Sequence, residues 1–425
     1  MSEPVTVPSG EQDSKHGGRK AAMSFILIAV LIDMISIGLI IPVLPPLVGT
    51  FATTPAEHTL AYLAVSVAFG IANFFGAPIL GALSDRFGRR PVLLIGFSGL
   101  ALSFLVTASA TALWMLIVVR LFSGAMQANA SVANAYVADI TAPEDRAKRF
   151  GMLGAAFGMG FILGPVMGGL LGDIDLHLPF YVAGGLALLN WLYGYFVLPE
   201  SLAPEHRRPF EWRTANPVSS LKKLAALKGV GTLVFVIALS GLAQLILHTS
   251  WVIYTSFKFG WGPKENGLSL FAVGAMAVLV QGFLLPRLLK LFSPQRLVVL
   301  GLASSVITNF VWGAATAGWV MYAVIVFNVL GFAASTALQS LISNAADAKT
   351  QGQTMGAVSS LNSVMAVLAP ILGMSLMYLV AELPKGDWRI GAPFYFCALL
   401  QAASLFFAWR HFGRQANPVP LARAS

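Results

Sequence analysis

The sequence predicts an all-α membrane protein: twelve transmembrane helices in two six-helix bundles related by pseudo-twofold symmetry. Three observations point there. The 425 residues are 57% hydrophobic and only 11% charged, with a mean hydropathy of +0.76. A soluble chain of this length carries roughly twice that charge. Twelve apolar stretches are long enough to cross a bilayer, and the two halves of the chain repeat one another. The 29 Phe and nine Trp suit lipid-facing and interfacial surfaces. A single cysteine, Cys397, excludes a disulfide framework or a multi-cysteine metal cluster.

A bilayer core of about 30 Å needs roughly 20 apolar residues per helix. Spans are predicted at 22–49, 59–84, 91–109, 112–139, 147–172, 178–199, 229–257, 265–291, 295–314, 319–346, 352–380 and 391–411. An even number puts both termini on one side. Twenty-two of the 27 Lys and Arg fall on that side, four on the other, and Arg120 lies inside a span. The positive-inside rule therefore places both termini in the cytoplasm and reads the net charge of +9 as topology rather than nucleic-acid binding. The divisions are a disordered N-terminus (1–21), a first bundle (22–199), a central linker (200–228), a second bundle (229–411) and a tail (412–425). Within the linker, 218–228 reads either as a short amphipathic surface helix or as a solvated strand of chain.

The repeat is in register. Gly151, Pro165 and Gly168 of the fifth span match Gly356, Pro370 and Gly373 of the eleventh, all offset by 205 residues. Ala138-Asp139 and Ala346-Asp347 end the fourth and tenth spans. Two similar bundles around a midplane site is the architecture of secondary transporters.

Between the second and third spans lies Gly81-Ala-Leu-Ser-Asp85-Arg86-Phe-Gly88-Arg89-Arg90-Pro91. Its glycines permit a tight turn. Asp85 can accept amide protons at a helix end, and Arg89 is placed to reach another carboxylate. In the fifth span Gly160, Gly164, Gly168 and Gly172 recur every fourth residue beside Pro165 and Gly169, so that another helix can approach closely.

Two charges lie deep in spans, Asp33 in the first and Arg120 in the fourth. At 1.5 Å per residue they sit about 15 Å and roughly 18 Å from the cytoplasmic face, in one layer where they can pair or share solvent. A carboxylate in a low-dielectric cavity holds a proton more readily, and a nearby arginine favours its ionised form. Asp33 is thus the candidate for proton coupling, against a static ion pair. Polar stripes at helical spacing include Gln127 and Asn134 with Arg120, then Gln244, His248 and Trp251 in the seventh span, and Asn328 and Gln339 in the tenth. Such faces avoid lipid, so they line a cavity or bond between helices.

The segments 31–45, 84–94, Arg120-Leu-Phe-Ser-Gly124, 180–190 and Leu198-Pro199-Glu200-Ser201 carry a resemblance. The chain resembles the drug/proton antiporter branch of the major facilitator superfamily, and within it the tetracycline efflux pumps. The charged turn is similar to that superfamily's loop signature, with Gly81, Arg86, Gly88 and Arg90 as its matching positions. The fifth-span glycines are similar to an antiporter motif. The resemblance implies Asp33 and Arg120 in the transport pathway. It also implies a cytoplasmic cluster of Asp85, Arg89 and Asp139 that locks the halves outward-open. It departs from the pumps at Ser103 and Ser305, where they carry acids suited to a cationic metal chelate.

The leading expectation is proton-coupled export of a small amphipathic organic compound from the bacterial inner membrane. The partners are a small-molecule substrate, protons and the lipid bilayer, with no nucleic acid, no cofactor or metal, and a monomer as the working unit. The alternatives are uptake or facilitated diffusion of a metabolite, and a non-transporting receptor or scaffold. Scattered histidines and the lack of a nucleophile elbow speak against an enzyme.

Overall fold

The computed structural model describes residues 9–127, 129–210, 231–345 and 351–416. Among them the regular structure is helical, without strands. Eleven helices are long and apolar enough to cross a membrane: Ala22–Gly49, Pro55–Phe87, Arg89–Ala108, Leu113–Ile140, Lys148–Ile174, Leu178–Val197, Thr232–Phe259, Pro263–Leu291, Pro294–Ala314, Leu361–Val380 and Trp388–Gly413. The tenth span is a bent pair, Gly318–Phe327 and Val329–Leu341, joined at 50°. With it the count reaches the twelve that the sequence predicts.

The turns follow local chemistry. Pro55, Pro263 and Pro294 open helices in their first turn, where a missing N–H costs nothing. Thr54 caps the second span by accepting from the Glu57 amide at 3.1 Å, and Ser293 caps the ninth through the Arg296 amide at 3.3 Å. The first helix extends back to Ser9, where the sequence predicts an unstructured segment. Residues 1–8, the stretch 218–228, Ala346-Asp347 and the tail from 417 lie outside the described residues.

Each half packs on its own apolar cores. Phe97, Tyr136 and Phe180 are fully buried in the first half, Tyr254 and Phe394 in the second. The outer surface is apolar as a lipid-facing surface requires: Trp114 is 66% exposed and Phe327 83%. The halves meet along two seams related by the repeat. The fifth span packs on the eighth and the second on the eleventh. Gly169 lies against Gly267 and Gly172 against Pro263, while Gly70 lies against Ala366.

Two spans, the fourth and the tenth, are broken near their middles. The fourth helix stops at Met126 and resumes at Asn129, and the tenth breaks at Asn328. Asn73 of the second span holds the first break by donating from Nδ2 to the Gln127 carbonyl at 2.9 Å. A freed carbonyl in a membrane needs such a donor.

Candidate functional site

A cavity of about 340 Å³ lies between the halves. Its first-half wall comes from the first four spans, with Tyr62, Ser66, Phe69 and Asn73 on the second and Arg120, Ser123 and Gln127 on the fourth. Leu245, Thr249, Ala366, Ala369 and Pro370 close it from the second half. The size suits a small organic molecule, as do its apolar wall and few convergent polar groups. The stripe Tyr62, Ser66, Phe69, Asn73 has helical spacing and was legible, but the sequence reading does not single it out.

Arg120 lines this cavity, with its guanidinium 5.8 Å from the centroid of the Phe69 ring. Among the described residues the guanidinium forms no hydrogen bond or ion pair, while the Arg120 carbonyl accepts from the Ser123 hydroxyl at 3.3 Å. Asp33 does not line the cavity and does not pair with Arg120. It is 3% exposed, and its Oδ1 accepts from Asn129 Nδ2 at 3.0 Å. The expected shared site is thus two neighbouring ones. The reason is the broken fourth span: the restart at Asn129 brings that amide to Asp33, while Arg120, on the other segment, faces the second span. Ile37, one turn above Asp33, is itself part of the cavity wall. Asn129 was missed because a helix break cannot be read from polar periodicity.

Asp85, Arg89 and Asp139 come together as the sequence expects. Arg89 donates to Asp85 at 2.5 Å, to Asp139 at 3.0 Å and to the Ser84 hydroxyl at 2.7 Å. Glu200, a residue the reading passed over as a site, accepts from the amides of Arg89 and Arg90 at 2.8 and 3.3 Å and caps the third span. Gly88 alone makes the turn, with φ of +108° and no room for a Cβ beside the Glu200 carboxylate. Gly81 needs a different account from the expected turn role. It lies within the second helix, where an added Cβ would meet nothing. Arg86 is exposed over Phe87, and Arg90 donates to the Tyr195 carbonyl.

The fifth-span glycines serve two neighbours. Gly160, Gly164 and Gly168 face the first span, where Gly164 meets Gly38. Gly169 faces the eighth across the seam, where Pro165 also contributes its carbonyl against Gly267.

The other cavity candidates divide. Gln127 is in the cavity wall. Trp251 is instead a core residue, 4% exposed, donating to the Ser269 hydroxyl at 3.0 Å and packed edge-on against Trp312. Asn134 is turned onto its own helix, donating to the Ala130 carbonyl at 2.8 Å. Gln244 and His248 contact each other at 3.0 Å on an exposed face one position removed from Leu245 and Thr249. Asn328 sits at the tenth-span break and accepts from Ser304 at 3.0 Å, and Gln339 is exposed. Polar stripes a single residue out of phase point about 100° away from the cavity, which periodicity alone does not resolve. Ser103 is buried, and Ser305 donates to the Gly301 carbonyl at 2.9 Å.

At the face opposite the charged turn, a side chain of the second half caps a helix of the first. Glu382, ending the eleventh span, accepts from the Ala56 amide in the first turn of the second span at 3.1 Å. His58 packs edge-on against Phe257 of the seventh span beside it.

Two pseudo-symmetric helical halves around a midplane cavity define a membrane transporter. The chain belongs to the Major Facilitator Superfamily, whose description matches residues 26–370. It is 36% identical over 381 residues to the tetracycline resistance protein, class C, of Escherichia coli, covering 89% of this chain and 95% of that one. It is 28% identical over 392 residues to multidrug resistance protein 2 of Bacillus subtilis (strain 168), covering 91% and 94%. Among solved structures, the human organic anion transporter MFSD10 (TETRAN) aligns with a TM-score of 0.68 at 22% identity, covering 92% of this chain and 99% of that one. The nucleoside transporter NupG aligns with a TM-score of 0.72 at 14% identity, covering 92% and 99%. These structural likenesses carry the fold.

Proposed function

We propose that this chain is a proton-coupled exporter of a small amphipathic organic compound, with Asp33 as the proton carrier and the cavity at Arg120 as the substrate site. The supporting observation is a buried carboxylate with an amide partner, one helical turn from the cavity wall. Ionised there, it is costly, and a proton relieves that cost. Substrate and proton sit on the same helix without sharing atoms, so occupancy of one can move the other through the first span. The drug-efflux relatives support the direction of transport. Both termini are placed in the cytoplasm by the Lys and Arg count, so contacts at the opposite face describe a pump closed to the outside. The substrate is a compound other than a cationic metal chelate, since Ser103 and Ser305 supply no carboxylates.

The test uses inverted membrane vesicles acidified inside. A transported compound, found by growth of an efflux-deficient host against a drug panel, should release protons from the lumen, read by a pH-sensitive dye. Asp33→Asn, nearly isosteric and unable to titrate, should abolish that release while the protein still accumulates. Release at the wild-type rate by the Asn variant leaves Asp33 a structural residue.

A further inference from the structure

The charge inventory of the cavity restricts its ligand. Of the described residues lining it, Arg120 is the single charged one. The carboxylate closest in sequence to the wall, Asp33, is outside it and engaged by Asn129. Arg120 has no ion-pair partner among the described residues, and its guanidinium lies over the Phe69 ring, 5.8 Å from the centroid. A guanidinium in a low-dielectric cavity lacking a carboxylate is an uncompensated cation, and a planar anion is the ligand that compensates it with paired hydrogen bonds. The remaining polar groups are neutral: the Tyr62, Ser66, Ser123 and Thr249 hydroxyls and the Asn73 and Gln127 amides. Asn73, Ser123 and Thr249 already donate to the carbonyls of Gln127, Arg120 and Leu245. The Gln127 side-chain amide makes no hydrogen bond among the described residues and suits an oxygen of the same ligand, and Phe69 and Phe104 suit an aromatic body.

We propose that the cavity selects an amphipathic aromatic organic anion, a carboxylate or acidic phenol, with Arg120 as its specificity-determining residue. This rests on the export reading of the same cavity and names its substrate class. The cavity wall offers no counter-charge to a cation, so a cationic compound of equal size is disfavoured. The choice also has an energetic consequence. Exchange of a monoanion for one entering proton moves positive charge inward, so a negative interior drives export. Exchange of a cation for one proton is electrically silent.

Three probes alike in shape separate the classes: 2-naphthoate, 2-naphthamide and 2-naphthylmethylammonium. Tritiated naphthoate is bound to the purified full chain in detergent, and the other two compete for it. Naphthoate should bind at least about tenfold more tightly than the amide, and the ammonium should be weakest. Arg120→Gln should erase the order, and Arg120→Lys should keep it. Should Arg120→Gln fail to fold, Thr249→Asp adds a carboxylate to the second-half wall. It should weaken naphthoate about tenfold and favour the ammonium. Equal or tighter binding of the ammonium by wild type overturns the proposal. So does binding of none of the three at millimolar concentration, or an order unchanged in the Gln and Asp variants. Proton release driven by the ammonium in vesicles would keep the export reading and remove the anion class. Naphthoate binding without any proton release would do the reverse.

Discussion

In the export reading proposed above, Asp33 and Asn129 form the contact on which proton coupling turns. A hydrogen bond to a charged group contributes about 1.5–3 kcal/mol. Asn129→Ala removes it from a carboxylate that is 3% exposed. Proton release in vesicles should slow by about tenfold or more, with protein levels near wild type. An unchanged rate would detach Asn129 from the coupling step. Gly88 is the other position where one atom decides. Its φ of +108° and its place against Glu200 leave no room for a side chain. Gly88→Ala should cost about 1–3 kcal/mol, read as a lower thermal midpoint in detergent, because the third span loses both its turn and its cap.

Helices in this molecule are divided between packing inside a half and packing across the seam between halves. The fifth span does both on different faces. Gly164 meets Gly38 inside the first half, and Gly169 meets Gly267 across the seam. Gly164→Val should therefore lower stability, since a Cβ there meets backbone that cannot shift cheaply. Gly169→Val should leave the half folded and instead disfavour the closed face. Thermal melting together with cavity accessibility separates the two; identical behaviour of both variants would remove the division. The charged turn is also contained in one element group. Arg89, Asp85 and Asp139 are all of the first half; Arg89 is buried and its partners are partly exposed, so losing a partner costs more than the ~1 kcal/mol or less of a fully exposed pair. The cluster lies within one half and is intact while the outer face is closed, so it does not lock the halves outward-open as the resemblance implies. Asp85→Asn should lower the thermal midpoint in detergent and leave cavity accessibility little changed, and a large rise in accessibility would restore the locking role.

Across the whole molecule, closure at the face opposite the charged turn involves a cap exchanged between halves. Glu382 lies at the positive end of the second helix, held by the Ala56 amide at 3.1 Å. Glu382→Gln keeps an acceptor and removes the charge, whereas Glu382→Ala removes both. The Ala variant should favour opening by about 0.5–2 kcal/mol, the range for a lost helix cap. The sole cysteine, Cys397, is buried, so a cysteine-free background needs one substitution. Thr249→Cys in that background reports access to the cavity from each side. Labelling from the outer side should rise severalfold in the Ala variant, and unchanged labelling would make the cap incidental.

Sequence by itself determined the twelve spans, the two halves and the meeting of Asp85 with Arg89. Each follows from local or additive properties. Apolar length sets a span, the repeat sets the pairing of halves, and a one-residue turn at Gly88 brings Asp85 and Arg89 together, whereas Asp139, 50 residues from Arg89, was expected there from the family resemblance. The tertiary structure alone decided which polar groups face the cavity. Asn134 shares helical spacing with Gln127, and Gln244, His248 and Trp251 form a stripe of their own in the seventh span, yet of these only Gln127 is in the wall. A helix face is fixed by its neighbours, and a rotation of one residue moves it about 100°. The separation of Asp33 from Arg120 was equally beyond the sequence. Their depths agree on a straight fourth helix, but the break after Met126 gives Asp33 to Asn129 and leaves Arg120 facing the cavity.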